Sequence, residues 1–200
     1  MSIREHPDAV AFKTAAERYC ALFESADADQ WVEAVLSALA QVYAAAHRLP
    51  DFGLSDDAPD IPDSFDVSEE EWRSVFALVQ GVLGPQEAYW AYFDPSEPSD
   101  SGEQPIFHSL ADDLADIYRD IKPGLRAWET GDRAYLETIV FDWKTPNLGS
   151  HWGVHAVSAM RALHPIAFLR GVRNDASTMR CSERRHRVTV AIDASRGRRR

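Results

Sequence analysis

Cysteine is nearly absent from this 200-residue chain. Cys20 and Cys181 stand far apart, so the sequence draws no disulfide framework and suits a reducing compartment. Long apolar runs are absent too: nothing approaches the roughly eighteen residues a spanning helix requires. Met1-Ser-Ile-Arg-Glu-His-Pro7 has no apolar leader segment, so the expectation is no membrane association and a cytoplasmic location. No Gly-rich phosphate loop, Gly-x-Ser-x-Gly elbow or Cys-x-x-Cys pair occurs, which removes the usual sequence signs of nucleotide, acyl-transfer and dithiol chemistry. Positive charge is scarce except at the end of the chain. Ten Arg between Arg170 and Arg200 face three acids there, a local balance of +7; with −11 overall, residues 1–169 carry −18. An acidic body repels phosphate backbones, which argues against nucleic-acid binding by the body, and it suits a basic protein partner, a cation or, most commonly, simple colloidal solubility.

Apolar residues, by contrast, are plentiful: 45% of the chain, with six Trp and nine Phe, enough for one substantial core. They recur at helical spacing. Pro7 opens a first amphipathic helix with Phe12, Ala16, Tyr19 and Phe23 on its stripe, and Cys20 beside that stripe reads as a small buried hydrophobe. Asp27 or Asp29 caps a second helix, Trp31 to Ala46, that Leu49-Pro50 stops. Asp51–Asp66 is an acidic, Pro-containing loop without the ligand register of a calcium loop. Ser68 and Glu71 form a capping box for a third helix through Val79, and Gln86–Phe93 reads as a short helical segment rich in aromatics. Ser96–Gln104 is a second acidic loop. A helix follows from about Asp132 to Trp143, then a linker, Lys144–Gly149. No strand alternation is evident before Val188. The expected architecture is all-α, a single-domain bundle of about six to eight helices: residues 1–169 form the acidic helical domain, and 170–200 an irregular Arg-rich tail with at most a lone strand at Arg187–Ile192.

The chemistry concentrates in two stretches. In Ser109–Lys122 a helical stripe of Leu110, Leu114, Ile117, Tyr118 and Ile121 leaves Asp113, Asp116 and Asp120 together on its flank. Ser109 with Asp112 reads as a capping box, so Asp112 has an ordinary role. Asp120 precedes Lys122-Pro123-Gly124 and is expected in the last turn, where the helix dipole disfavours a carboxylate and something must compensate it. In the second stretch Ser150 caps a helix in which His151 and His155, four residues apart, share one face; that spacing lets two imidazoles ligate one cation. His47, His108 and His164 stand alone.

Arg18-Tyr-Cys20, Tyr43 through Leu49-Pro50, Tyr89–Pro95, the Asp-rich run Ser109–Asp120, Gly124-Leu125 and His151-Trp-Gly-Val-His155 together resemble the bacterial helical family called domain of unknown function 5063, over roughly Phe12 to Leu163. The resemblance implies an all-α cytoplasmic bacterial protein and assigns no catalytic residues. Chains resembling this family tend to stop soon after the histidine helix. The Arg-rich continuation here therefore reads as an out-of-frame or recombined C-terminus.

Two functions lead for the cluster, with a metal-free acid/base site as a third reading. The leading reading is a protein-interaction or binding module whose Asp and His residues form an internal polar network, with Asp116 and Asp120 accepting from His155, Arg119 of a crossing turn, or Trp indoles. The rival is a metal-dependent enzyme of hydrolase type: Asp116, His151 and His155 hold zinc, manganese or iron, and Asp113 or Asp120 serves as base. Both require the two helices to lie side by side.

Overall fold

A computed structural model of the protein describes residues 3–24, 30–51, 53–54, 56–91, 104–132, 135–145 and 147–168. Two compact units divide the chain, Met1–Leu163 and His164–Arg200, and of the second only residues 164–168 are described. The architecture is predominantly helical: α1 (Pro7–Glu24), α2 (Trp31–Ala46), α3 (Glu69–Leu83), α4 (Leu110–Glu129), α5 (Leu136–Lys144), the single turn α6 (Asn147–Ser150) and α7 (Trp152–Phe168). A small antiparallel pair, β1 (Ala88–Ala91) and β2 (Ile106–Ser109), is the one sheet among the described residues. No described helix is long and apolar enough to cross a membrane.

Local chemistry starts α1, α3 and α4 where the sequence says it should. Pro7 occupies the first position of α1, where its fixed φ suits the helix and its missing N–H costs nothing. Ser68 and Ser109 cap α3 and α4, each side chain accepting the backbone N–H three residues on, at 3.2 Å in both cases. α4 is the axis of the fold and packs against α1, α3 and α5, while α1 packs against α2. Its stripe, Leu110, Leu114, Ile117, Tyr118 and Ile121, is buried as expected. The Tyr19 hydroxyl crosses from α1 and donates to the Leu114 carbonyl at 2.9 Å. A second aromatic layer lies further along: Phe12 is 4.7 Å from Trp143 and 6.2 Å from Trp152, ring centre to ring centre, and Trp128 stacks on Trp143. Cys20 is buried, and burial pushes its thiol up to about 12, so it behaves as a core residue.

Several expected boundaries are corrected. α4 does not end at Lys122-Pro123-Gly124 but runs through to Glu129, because Leu125, Ala127 and Trp128 are all buried and tertiary packing outweighs the local cost of proline. Trp143 supports the disturbed turn: its indole N–H donates to the Ile121 carbonyl at 3.2 Å, and it lies so close to Gly124 that a Cβ there would sit 2.6 Å from its nitrogen. Asp120 is accordingly mid-helix, not in a last turn. The aromatic segment expected as helix is β1, with Tyr89 opposite His108 and Trp90 opposite Phe107. Trp90 and Phe107, opposite each other, are 65% and 61% exposed while Tyr89 and His108 are half-buried, and a run of four residues is too brief for a strand period to be read from sequence. The helix expected from Asp132 begins at Leu136, and the expected linker contains α6. Ser150 ends that turn instead of capping α7; His151 stands between the two helices, donating its N–H to Asn147 (2.9 Å) and accepting from His155 N–H (3.2 Å). The chain can double back this tightly only at Gly153, where a Cβ would run into the carbonyl of Leu148. The expectations for Asp27 or Asp29 as a cap, for Tyr92 and Phe93, for most of the Ser96–Gln104 loop and for the Arg-rich tail lie outside the described residues.

Candidate functional site

The flank of α4 that carries Asp113, Asp116 and Asp120 faces the start of α7, and the two imidazoles reach across. His155 Nδ1 donates to Asp113 Oδ1 at 2.7 Å, and His151 Nδ1 donates to Asp120 Oδ2 at 2.5 Å. The ring centres lie 5.1 Å apart at 77°, with His155 Nε2 3.8 Å from Asp116 Oδ2. One ligand-capable atom from each of Asp116, His151 and His155 lies within 4.8 Å of the other two. All five residues singled out from the sequence are thus brought together, though not in the pairing anticipated: His155 takes Asp113, leaving Asp116 in front of its other nitrogen.

Two of the carboxylates, Asp113 and Asp116, are further engaged by their surroundings. Asp113, whose side chain is 4% exposed, accepts a second hydrogen bond from the Tyr89 hydroxyl at 2.5 Å. Asp116 accepts from the Trp72 indole of α3 at 2.9 Å and pairs with Arg119 at 2.7 Å. That arginine sits one turn along α4 itself, not on a crossing turn. These contacts answer the need of buried acids for donors. His155 is held above its ordinary value, first by the hydrogen bond to Asp113; burial opposes this, and the charges of Asp113, Asp116 and Asp112 add to it. Asp112, on the solvent side, is raised by burial and then by Asp116 and Asp113, the mark of a carboxylate beside like charges. Tyr89 is raised by burial and by its bond to Asp113, so it stays a donor.

The site opens to solvent on the side of His151, whose side chain is 43% exposed. Asp120 and Arg119 also line a cleft of about 680 Å³ whose walls include Asp60, Phe141 and Asp142. Tyr89 and Trp72 belong to the site and are not legible in it from sequence. Both look like core aromatics, and nothing in the sequence marks either as facing the carboxylates. His108 stacks on Tyr89 at 5.3 Å, His47 and His164 are exposed, and none of the three is a member of the ligand-capable trio.

Residues 4–168 match the family described as Domain of unknown function (DUF5063). No curated protein matches the sequence. Among solved structures the chain is similar to the crystal structure of protein BF1032 from Bacteroides fragilis, with 24% identity and a TM-score of 0.66 over 84% of this chain and 96% of that one. A likeness at that identity is one of fold.

Proposed function

The chain belongs to the family designated domain of unknown function 5063, and we propose that this member works through a single divalent ion bound by Asp116, His151 and His155. The observation that carries the reading is the convergence of one donor atom from each of the three. The 3.8 Å between His155 Nε2 and Asp116 Oδ2 is near the roughly 3.4 Å that separates two ligands of a tetrahedral ion with metal–ligand distances of about 2.1 Å. The tautomers support it as well. With both Nδ1 protons directed at carboxylates, the Nε2 lone pairs are the ones left for a cation, the arrangement in which a second shell fixes metal-bound histidine. Asp113 and Asp120 are then positioning residues for the imidazoles, a more economical role than the general base first considered for them. Two nitrogens and one oxygen suit zinc, manganese or iron.

Three protein ligands beside solvent leave coordination open, which is the composition of a catalytic rather than a structural zinc site and favours hydrolytic chemistry on a molecule entering the cleft at Asp120. Elemental analysis of the purified chain tests the ion. About one equivalent is expected in the wild type and far less in Asp116→Asn or in the His151→Ala, His155→Ala double variant; equal content in all three would overturn the proposal.

A second reading, a binding module for a basic protein partner, is favoured by a separate observation. The Trp90 and Phe107 rings pack edge to face at 5.4 Å on the outer side of the strand pair, largely exposed on a body of charge −18. Here the Asp and His residues serve as an internal network and need no ion. Polylysine binding that weakens with salt and is lost in a Trp90→Ser, Phe107→Ser double variant is the expected result; binding unaffected by that variant would remove the surface from consideration.

A further inference from the structure

We infer that a second cavity, of about 540 Å³, lined in part by α7 and sharing no lining residue with the cleft at Asp120, is a binding site for a small amphipathic carboxylate. Its volume falls within the range of ligand pockets, roughly 300–1,000 Å³. Its apolar walls are Tyr43, Leu148, Val154 and Val157. The two valines are 52% and 49% exposed, although they lie on a helix whose Trp152, Ala156, Ala159 and Leu163 are fully buried, so α7 turns a second apolar strip toward this space. Its charged groups among the described residues are the cations Lys144 and Arg161. Lys144, Arg161 and His47 line the cavity, and no carboxylate does so among the described residues.

On a body of charge −18, a pocket lined by Lys144 and Arg161 and, among the described residues, by no acid is the reverse of its surroundings, which favours an anion. Lys144 is already committed, donating to the Leu49 carbonyl at 2.6 Å and pairing with Asp51 at 2.7 Å. Arg161 has no carboxylate partner among the described residues. A guanidinium with no acidic partner among the described residues matches one carboxylate, which it can hold with two parallel hydrogen bonds, while the valine and leucine wall takes an aliphatic or aromatic body. The site requires no metal and shares no residue with the proposed ion ligands, although Tyr89 lines it and hydrogen-bonds to Asp113.

Calorimetric titration of the full chain with decanoate, decanol and decyltrimethylammonium tests the inference. Decanoate is expected to bind at least about tenfold more tightly than decanol, the effect of one charge-assisted pair, and the cationic analogue not measurably. Arg161→Gln, at an exposed position, should bring decanoate to the level of decanol. Val157→Asp, checked for folding by its thermal transition, should abolish both. The same decanoate affinity is expected with chelator present and in Asp116→Asn, which separates this pocket from the ion site. Equal binding of decanoate and decanol, an unaltered preference in Arg161→Gln, or no decanoate binding at millimolar concentration would each overturn it.

Discussion

At the scale of single residues, the bond between His155 and Asp113 decides how the cluster titrates. Because the folded protein holds His155 above its ordinary value of 6.5, its contribution to stability is complete below the unfolded value and is lost as pH rises through the folded one. Asp113→Asn removes the largest raising cause, so the His155 midpoint followed by NMR should fall below that of the wild type; an unmoved midpoint would mean the two side chains are not paired in solution. A cation competes with the same proton, so ion uptake improves as pH climbs past that midpoint. Asp142 provides the complementary test. Burial, then the nearby Asp60, push its carboxyl from 3.8 up to about 6, so the fold favours its protonated form and loses that contribution between about pH 4 and 6. Asp142→Asn should match the wild type near pH 4 and exceed its unfolding free energy above pH 6 by on the order of 1 kcal/mol, discounted for partial exposure. No gain at pH 7 in denaturant unfolding would show that the carboxyl is solvated.

At the scale of elements, two close approaches set the site. Trp143 against Gly124 keeps α4 continuous past its proline, and the contact of Gly153 with Leu148 lets α6 and α7 meet at an angle that presents both imidazoles to α4. The glycine in His151-Trp-Gly is therefore a packing requirement. Gly153→Ala must push the Leu148 carbonyl away, and a loss of about 1–3 kcal/mol is expected in chemical denaturation, together with a weakened ion site. A loss under about 0.5 kcal/mol would indicate that the turn relaxes freely. Trp152, next to it, is fully buried and donates its indole N–H to the Trp143 carbonyl at 3.0 Å, so α7 is anchored on α5 one residue from His151.

At the scale of the whole molecule, an ion that binds only the folded chain stabilises all of it. With free zinc or manganese at about a hundred times the dissociation constant, linkage adds about 2.7 kcal/mol, which should appear as an upward shift of the thermal transition. The His151→Ala, His155→Ala variant should show no such shift, and an equal shift in that variant would assign the effect to binding elsewhere on the acidic surface.

The sequence by itself determined the helical class, the start points of α1, α3 and α4, the buried stripe of α4, and the candidate status of Asp113, Asp116, Asp120, His151 and His155. These follow from spacing along one chain segment, and helix period and capping are local properties. The passage of α4 through Pro123, the strand at Tyr89, and the choice of Asp113 rather than Asp116 as the partner of His155 were decided only by the tertiary structure. Each depends on what another segment brings alongside: buried Trp128 and Trp143 outweigh a proline, β2 completes a four-residue strand, and the relative setting of two helices selects which carboxylate an imidazole meets.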